Sequence, residues 1–212
     1  MSTGSLGQGI SSAVGMALGA KLKDKDYRVY TILGDGEIEE GEVWEAAMFA
    51  SAKHLDNLVA IVDNNNLQID GTLEEVNSPY PIDEKFAAFG WYVIKINGHN
   101  FDQIDRAFDE ARRCKGKPTV IIAKTVKGKG VSYMEYAVEW HGKAPKEEEY
   151  LEAMSELREE LAELDTAMGP LTIEGTELKL KCLSLDTGTV VVEGQVQSFS
   201  YGQPRRRGRW RS

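Results

Sequence analysis

The chain has 212 residues, of which 42% are hydrophobic and 28% are charged, and this composition is ordinary for a globular protein that buries a core. The net charge of −9 argues against general nucleic-acid binding, which favours a basic surface. No apolar run of about 18 residues occurs, so no membrane-spanning helix is predicted, and no signal peptide is recognisable at the amino terminus. The two cysteines, Cys114 and Cys182, lie far apart without metal-ligand spacing, which favours a reduced, cytoplasmic setting.

A glycine-rich turn followed by a helix is predicted at the start of the chain. Gly4, Gly7 and Gly9 permit close approach of the backbone. Apolar residues then recur on one helical face, namely Ile10, Val14, Ala17 and Leu18. The free N–H groups and the positive dipole of such a helix start suit an anion such as a diphosphate. Two later glycines, Gly15 and Gly19, are equally compatible with close packing of one helix on another.

Two short aliphatic stretches are predicted to be buried strands that each end in oxygen-bearing side chains. The first runs from Arg28 to Leu33 and stops at Gly34-Asp35-Gly36, and the second runs from Leu58 to Val62 and stops at Asp63-Asn64-Asn65-Asn66. Because the carboxyl ends of neighbouring parallel strands face one crevice, we expect Asp35 and Asn65 to meet there. With a nearby backbone carbonyl, their oxygens suit Mg²⁺ or Ca²⁺ and leave positions for phosphate oxygens. Each motif taken singly is also common in ordinary turns.

Strands and helices alternate through the middle of the chain. The predicted elements are a helix around Val43–Ala50, a helix at Asp83–Phe89, a strand at Trp91–Ile96, a helix at Phe101–Arg113 and a strand at Thr119–Lys124. This order predicts an α/β fold with a doubly wound parallel sheet, and right-handed crossovers place the ligand crevice at the strand ends. A nicotinamide oxidoreductase is disfavoured because no G-x-G-x-x-G motif follows the first clear strand.

The segment after the last of these strands contains candidate basic residues. Lys127 and Lys129 alternate with glycines, and His141 stands between Trp140 and Gly142. A solvated loop explains the lysines equally well. A neutral imidazole at His141 is able to donate to a diphosphate oxygen or to a substrate hydroxyl. The other two histidines, His54 and His99, are interpreted as structural.

The chain resembles the transketolase family of thiamine diphosphate enzymes. The stretches GDGEIEEGEVWEA and VDNNNLQIDG carry the resemblance, and flanking matches extend from Ser2 to His141. The resemblance implies a sheet of the thiamine-diphosphate-binding type. It also implies a site that holds thiamine diphosphate with Mg²⁺, or alternatively with Ca²⁺, and that transfers a two-carbon ketol unit between sugar phosphates.

The resemblance also implies roles for individual residues. The metal ligands would be Asp35, Asn65 and the carbonyl oxygen of Leu67. The residues that bind the cofactor would be Gly4, Ser5, Leu6, Gly36, Glu37, Asn65, Lys127 and His141. His141 would in addition be the catalytic residue. Glu40 resembles a subunit-contact residue beside the paired cofactor sites, although helix-dipole stabilisation and solvation explain it equally well.

Partners are implied by the same resemblance. In the family, a glutamate on the pyrimidine-binding domain of another polypeptide activates the cofactor, and no such domain is recognisable in this sequence. We therefore expect an oligomer in which another chain supplies the pyrimidine-binding domain, and we expect no activity of this chain alone. The family's domain begins further upstream, so we expect a truncated gene product or a separate upstream chain. The alternative is a non-catalytic remnant or fusion that acts as a binding module.

The remainder of the chain changes character. We divide the sequence into an α/β domain at 1–145, an acidic amphipathic helix at 146–168, a β-rich appendage at 169–202 and a basic tail at 203–212. Apolar residues recur along the helix at Leu151, Met154, Leu157, Leu161 and Leu164. Gly169-Pro170 is expected to end the helix.

Alternating apolar and polar residues around Asp186-Thr187-Gly188 predict two or three antiparallel strands. This stretch resembles a small β-rich, YabP-like family of spore-forming bacteria. The basic tail contains five arginines, Arg205, Arg206, Arg207, Arg209 and Arg211. A solvated end and a segment that binds RNA or acidic partners both fit this composition, and no nucleic-acid partner is predicted.

Overall fold

A computed structural model describes residues 4–159, 163–166, 169–184 and 189–201. The chain divides into two compact units. The first lies within residues 1–127 and 136–142, and the second lies within residues 128–135 and 143–212. The predicted turn at Asp186-Thr187-Gly188 and the predicted basic tail lie outside the described residues. No helix in the described ranges is long and apolar enough to cross a membrane.

The first unit is built on a four-stranded parallel sheet with the strand order β1-β2-β6-β5. Its strands are β1 (Val29–Gly34), β2 (Leu58–Asn64), β5 (Tyr92–Asn97) and β6 (Thr119–Lys124). In register, Leu33 lies beside Val62, Val62 beside Ile122, and Ile122 beside Lys95. The observed sheet confirms the predicted α/β class and its parallel strands.

Helices pack on both faces of this sheet, because alternate residues of its central strands point to opposite sides. On one face, Leu58, Ala60 and Val62 of β2 join a core with α1 (Gln8–Leu22), α2 (Gly41–Ala52) and α4 (Ile82–Ala88). On the other face, Val59 and Ile121 pack with α5 (Phe101–Arg113). The two-sided burial accounts for the continuous aliphatic sequence of β2 and β6.

An aromatic cluster fills part of the first core. The ring of Phe86 lies 5.1 Å from that of Trp44 and 5.3 Å from that of Trp91, measured between centroids. Phe89 stacks on Trp44 with their centroids 5.9 Å apart. The buried indole of Trp91 donates to the carbonyl oxygen of Ala47 at 2.8 Å, which satisfies its N–H group.

The prediction that the first strand is buried is wrong for one of its faces. Leu33 is buried, but Ile32 is 73% exposed and Tyr30 is also exposed. The reason is that β1 is an edge strand among the described elements, whereas α5 packs against β2, β5 and β6. Tyr30 reaches this second face only by an edge-on contact with Phe108, with centroids 5.7 Å apart.

A small hairpin follows β2 and was not predicted. It pairs β3 (Leu67–Gln68) with β4 (Gly71–Thr72) in antiparallel fashion and leads into the short helix α3 (Leu73–Val76). The Thr72 side chain accepts from the N–H of Glu75, and the Glu75 carboxylate accepts from the N–H of Thr72, which forms a capping box. Strands of two residues are too short to show an alternating pattern in a sequence.

The second unit contains α6 (Glu147–Glu159) and three antiparallel strands, β7 (Glu163–Thr166), β8 (Gly169–Ser184) and β9 (Thr189–Tyr201). Ser132 donates to the Glu156 carboxylate from its N–H at 2.6 Å and also from its hydroxyl, which ties the 128–135 loop to α6. The antiparallel strands confirm the predicted β-rich ending.

The predicted helix at 146–168 is wrong at its carboxyl end. The structure ends α6 at Glu159, and Glu163–Thr166 forms a strand whose backbone pairs with Gly169–Thr172. Pairing in this ladder satisfies backbone groups that a longer helix would have satisfied internally. Along α6 itself, Ala153 is buried and Met154 and Leu157 of the predicted apolar stripe are half-buried, whereas Leu151 is 61% exposed.

Candidate functional site

The carboxyl ends of β1 and β2 bring Asp35 next to the asparagine cluster. The two strands are parallel, with Gly34 in register with Asp63, so Asp35 leaves β1 where Asn64 ends β2. The N–H of Asp35 donates to the carbonyl oxygen of Asp63 at 3.3 Å, which extends the strand pairing by one residue. The predicted convergence of these two strand ends is therefore present in the fold.

Asp35 is only 1% exposed, and both of its carboxylate oxygens accept hydrogen bonds. Oδ1 accepts from the N–H of Gly36 at 2.9 Å. Oδ2 accepts from the side-chain amide of Asn64 at 3.0 Å and from the N–H of Asn66 at 2.6 Å. Asp35 thus contacts the residues on both sides of Asn65, and three neutral donors fix its orientation.

Burial raises the pKa of Asp35 above its usual value of 3.8. The hydrogen bonds from Asn64, Asn66 and Gly36 act in the opposite direction, and the nearby Asp63 carboxylate adds to the rise. No ion pair to Asp35 is formed within the described ranges. A cation at this carboxylate would favour its charged form and would offset the cost of its burial.

Asn65 is held with its amide oxygen oriented by the backbone. Its Oδ1 accepts from the N–H of Leu67 at 2.9 Å, and its Nδ2 approaches Oδ2 of Asp63 at 3.4 Å. Asp63 in turn accepts from the hydroxyl of Thr125, which follows β6. Because a backbone N–H can only donate, the atom facing Leu67 is the amide oxygen, and this oxygen retains a second lone pair.

Asn66 reverses the chain after β2. Its φ of 67° lies in the left-handed region, which asparagine tolerates better than most residues. This turn directs the N–H of Asn66 towards Asp35 and places Leu67 at the start of β3. Leu67, whose carbonyl oxygen is a predicted metal ligand, is therefore held beside Asn65 by the turn.

The donor set fits a hard cation. One carboxylate, one amide oxygen and one backbone carbonyl are oxygen ligands of the kind that Mg²⁺ and Ca²⁺ accept, with room for further oxygen ligands. In the described part of the chain, no group of three or more His, Cys, Asp or Glu side chains is placed to hold a metal ion. A soft-metal or zinc-type site is therefore not formed by these residues.

The glycine-rich start of the chain lies against the end of β1. Gly7 is the N-cap of α1, with a φ of 80°, and its N–H donates to Oε1 of Glu37 at 2.9 Å. Oε2 of Glu37 accepts from the N–H of Gly34 at 3.0 Å. A Cβ atom at Gly7 would lie 3.1 Å from Cβ of Glu40, so this glycine permits close packing. Gly4, Ser5 and Leu6 immediately precede this contact, and Leu6 is exposed.

Gly36 combines two roles in the structure. Its N–H donates to Asp35, and a Cβ atom at this position would come within 3.0 Å of Cβ of Gln68. The absence of a side chain therefore lets the β1 turn and the β3 strand approach each other. This close approach is a physical reason for the second glycine of Gly34-Asp35-Gly36.

Lys127 and His141 are placed in the first unit but make no hydrogen bond or ion pair with Asp35 or Asn65 in the described ranges. The carbonyl oxygen of Lys127 accepts from the N–H of Tyr136 at 3.2 Å. His141 is exposed, and its N–H donates to the carbonyl oxygen of Val138 at 2.9 Å in a short 3-10 turn. Their predicted roles towards a cofactor and a substrate remain predictions.

His99 holds the segment that leads to Lys127. Its Nε2 accepts from the N–H of Val126 at 2.7 Å, so this ring nitrogen carries no proton. Next to it, a Cβ atom at Gly98 would come within 2.5 Å of the Thr125 methyl group, and this shows how closely the ends of β5 and β6 approach. These contacts agree with the structural role inferred for His99.

Sequence reasoning missed several residues that shape the site. Asn64 and the N–H of Asn66, rather than Asn65, contact Asp35 directly, and Asn64 also donates to the hydroxyl of Tyr80 at 2.7 Å. The register of two parallel strands would have identified Asn64, because it ends β2 beside Asp35. No local pattern marks Tyr80, which comes from a loop after α3.

Comparison with known proteins gives two family matches. The model for the transketolase thiamine diphosphate binding domain matches residues 1–162. The model for the YabP family matches residues 151–208. Both resemblances found in the sequence are therefore confirmed.

Curated relatives are similar over most of this chain. It is 48% identical over 160 residues to the 6-deoxy-6-sulfo-D-fructose transketolase subunit SqwG of a Clostridium species, with 76% of this chain and 58% of the relative covered. It is 46% identical over 165 residues to one subunit of the apulose-4-phosphate transketolase of Phocaeicola vulgatus, with 78% and 59% covered. The chain thus spans less than two thirds of the length of these relatives.

The fold has a solved counterpart. The transketolase of Campylobacter jejuni superposes with a TM-score of 0.70 at 35% sequence identity, covering 74% of this chain and 26% of that protein. Most of this chain therefore corresponds to about a quarter of a solved transketolase.

Proposed function

Because this chain belongs to the transketolase family through its thiamine diphosphate binding domain, we propose that it binds thiamine diphosphate together with Mg²⁺ for a transketolase-type transfer reaction. The observation that carries the proposal is the convergence of Asp35 with the Asn64–Asn66 turn at the carboxyl ends of β1 and β2. Ligands of open α/β sheets bind at this edge.

The metal would be held by Asp35, Asn65 and the carbonyl oxygen of Leu67. Three features support this assignment: the buried Asp35 carboxylate has no cationic partner within the described ranges, the Asn65 amide oxygen keeps a lone pair, and the Asn66 turn holds Leu67 beside them. Mg²⁺ is the preferred ion because it is usually bound by one or two carboxylates together with substrate phosphates. Ca²⁺ suits the same oxygen ligands.

The diphosphate would be held by the glycine loop and by basic side chains. Gly4, Ser5 and Leu6 precede the α1 amino terminus, whose dipole favours anions. Gly36 lies at the β1 turn, where the lack of a side chain permits a close approach. Lys127 would add positive charge, and His141 would donate a hydrogen bond to the diphosphate or to a substrate hydroxyl. Glu37 would lie beside the diphosphate.

When bound, thiamine diphosphate supplies the carbanion chemistry by which a two-carbon ketol unit is transferred. The residues of this chain would bind, orient and neutralise the diphosphate end. A second subunit with a pyrimidine-binding domain would complete the site, so that this chain is inactive by itself and works as part of an oligomer. Two relatives are named as transketolase subunits, which supports such an assembly. The cysteine usage supports a cytoplasmic setting.

The proposed substrates are sugar phosphates. The two curated relatives are named for different ketoses, one with a sulfonate and one with a phosphate group. An anionic group on the sugar is common to both names. A role in the pentose phosphate pathway would require that the donor is a sugar phosphate. A screen of ketose donors that carry a phosphate and ketose donors that carry a sulfonate distinguishes these two substrate classes.

Calorimetric titration tests cofactor binding. Thiamine diphosphate is titrated into the purified chain with Mg²⁺, with Ca²⁺ and with a chelator, and thiamine without the diphosphate serves as the matched control ligand. We expect saturable binding only with the diphosphate and a divalent ion, because the protein contacts proposed here are to the metal and the phosphates. Equal binding with and without the chelator would contradict the proposed metal site.

A transferase assay tests the partner. The chain is mixed with a candidate partner chain that carries a pyrimidine-binding domain, and ketol transfer is followed from an anionic ketose donor to an aldose phosphate. Activity of the mixture, and none of either chain alone, is expected.

The YabP match favours a second candidate, a non-catalytic binding module. That candidate predicts a stable complex with a partner chain and no transfer in any mixture.

A further inference from the structure

Glu37 links two segments that are far apart in the sequence. It opens a short 3-10 helix (Glu37–Glu39) directly after Gly36. Its Oε1 accepts from the N–H of Gly7, and its Oε2 accepts from the N–H of Gly34, at 2.9 and 3.0 Å. One carboxylate therefore joins the amino terminus of α1 to the last residue of β1.

A carboxylate is the group that these two donors require. The N–H of Gly7 belongs to the first residues of a helix, which have no acceptor within the helix, and glycine has no side chain to cap it. Two backbone donors need two acceptor oxygens, whereas a side-chain amide offers one acceptor oxygen and an NH₂ group that only donates. Hydrogen bonds to an ionised group are also stronger than those between neutral groups.

The link determines where the glycine loop lies relative to Asp35. Gly4–Leu6 precede Gly7, and Gly34 precedes Asp35, so the two hydrogen bonds of Glu37 hold the residue that follows the glycine loop and the residue that precedes Asp35. Close packing of Gly7 against Glu40 supports the same arrangement. A direct contact between Glu37 and a diphosphate would instead bring two negative charges together.

We propose that Glu37 is a positioning residue, which holds the glycine loop at the correct distance from the Asp35 metal site without touching the diphosphate. This inference rests on the proposed function, and it replaces the direct cofactor contact expected for Glu37 by an indirect role. The glycine loop then presents its backbone to the diphosphate only while both hydrogen bonds are made.

The first test measures the amide proton chemical shifts and exchange rates of Gly7 and Gly34 in the parent chain and in Glu37→Gln, without cofactor. With ¹⁵N-labelled glycine, the amide protons of Gly7 and Gly34 are expected downfield and slow to exchange in the parent, and at least one of them moves upfield and exchanges faster in the variant. Glu45→Gln removes the same charge from the exposed side of α2 and is the matched control. Unchanged Gly7 and Gly34 signals in Glu37→Gln would overturn the link.

The second test is cofactor affinity. Titration of Glu37→Gln with thiamine diphosphate and Mg²⁺ is expected to give about tenfold weaker binding than the parent, since one charge-assisted hydrogen bond is lost. If Glu37 faced the diphosphate directly, removal of its negative charge would strengthen binding, and this result would overturn the positioning role. Unchanged affinity despite shifted glycine amides would overturn it as well.

Two further comparisons keep the outcome decisive. Protection of core amides in β2 and β6 from hydrogen exchange shows whether the variant is folded. Glu37→Asp retains the charge, but its side chain is too short to reach both donors, so this variant should also bind the cofactor weakly. If the parent itself fails to bind the cofactor, the proposed function and the positioning role both fall. The glycine amide signals still show in that case whether the link exists.

Discussion

The two ends of the parallel sheet each hold an aspartate, and the surroundings of these two aspartates differ. At the amino end, the Asp56 carboxylate forms an ion pair with Lys21 at 2.7 Å and accepts from the N–H of Gly116 at 2.9 Å. At the carboxyl end, Asp35 is almost fully buried, and the donors that it receives from the described residues are all neutral. The Asp56 carboxylate is paired with a cation of its own chain, whereas no cation among the described residues is paired with Asp35.

The pKa values of the two aspartates follow this difference. Burial raises the pKa of Asp35 above its usual value. Burial acts in the same direction on Asp56, but the hydrogen bonds from Gly116 and Lys21 outweigh it, and the pKa of Asp56 is lowered. The comparison teaches that a buried carboxylate that receives hydrogen bonds, but no cation from the described residues, is a candidate ligand site.

The largest expected effect is that of Asp35→Ala on cofactor binding. Loss of the only carboxylate in the proposed metal set should weaken Mg²⁺-dependent binding of thiamine diphosphate by at least about a hundredfold. Asp56→Ala is the matched change at the other end of the sheet and should leave this affinity unchanged. Calorimetric titration measures both variants, and equal losses in the two would remove the distinction between the two ends.

Asparagine substitutions at the two ends of β2 should differ in kind. Asn65→Ala removes an amide oxygen of the proposed site and should weaken cofactor binding between about tenfold and a hundredfold, with little change in stability. Asn57 precedes β2 and donates to the carbonyl oxygens of Ala17 and Tyr27.

Asn57→Ala should therefore lower the free energy of unfolding by about 1 kcal/mol, because the carbonyl oxygen of the buried Ala17 and that of Tyr27 lose a donor. The loss stays modest because Oδ1 of Asn57 is itself buried without a hydrogen bond among the described residues. Denaturant unfolding and calorimetry separate the two effects. A stability loss at Asn65 that exceeds its binding loss would contradict the assignment of Asn65 to a ligand site.

A smaller effect is expected at Lys127. Lys127→Ala should weaken cofactor binding by about fivefold, as for a partly exposed charge near an anion, and the difference from the parent should shrink as salt is added. Lys124→Ala, at the exposed end of β6, is the control and should have no such effect. A salt-independent loss at Lys127 would indicate that the residue acts through the fold of its loop.

The smallest expected effect is on the pH dependence of stability without divalent ions. The folded chain holds the Asp35 proton more tightly than the unfolded chain does, so the contribution of Asp35 is full below pH 3.8 and is lost as the pH rises through its raised pKa. Asp56 has the opposite sign, and its contribution is lost as the pH falls through its lowered pKa.

Unfolding curves of Asp35→Asn and Asp56→Asn, each compared with the parent over this pH range, should therefore differ from the parent in opposite directions. Addition of Mg²⁺ should reduce the Asp35 contribution, because a cation favours the carboxylate. If the difference in unfolding free energy from the parent changed with pH in the same way for both variants, the two carboxylates would share one environment.

Much of the fold follows from local sequence patterns, but the exposure of the edge strand β1 and the end of helix α6 do not. The aliphatic stretch of β2 and the helical spacing of α5 predict their elements within a few residues. The exposure of Ile32 depends on the position of β1 in the strand order, which no local pattern encodes. The end of α6 depends on pairing of residues 163–166 with 169–172, and this four-residue ladder overrides a helical spacing of leucines.

The site was predictable where the parallel sheet itself brings residues together. Asp35 and the asparagine cluster follow neighbouring strands, so strand-end reasoning places them side by side. The partners of Glu37 were not predictable, because Gly7 and Gly34 act through backbone N–H groups, which any residue except proline carries. The placement of Tyr80 and Thr125 beside the cluster depends on loop conformations that sequence spacing does not determine.

The arrangement of the tryptophans has a practical consequence. Trp44 and Trp91 lie in the aromatic cluster around Phe86, whereas Trp140 stands in the short turn next to His141. Emission from the first two reports the integrity of the core, and emission from Trp140 reports events in that turn. The chain has a fourth tryptophan, Trp210. In the double variant Trp140→Phe, Trp210→Phe, intrinsic fluorescence comes from the two core tryptophans and becomes a folding probe of this core that is insensitive to the turn.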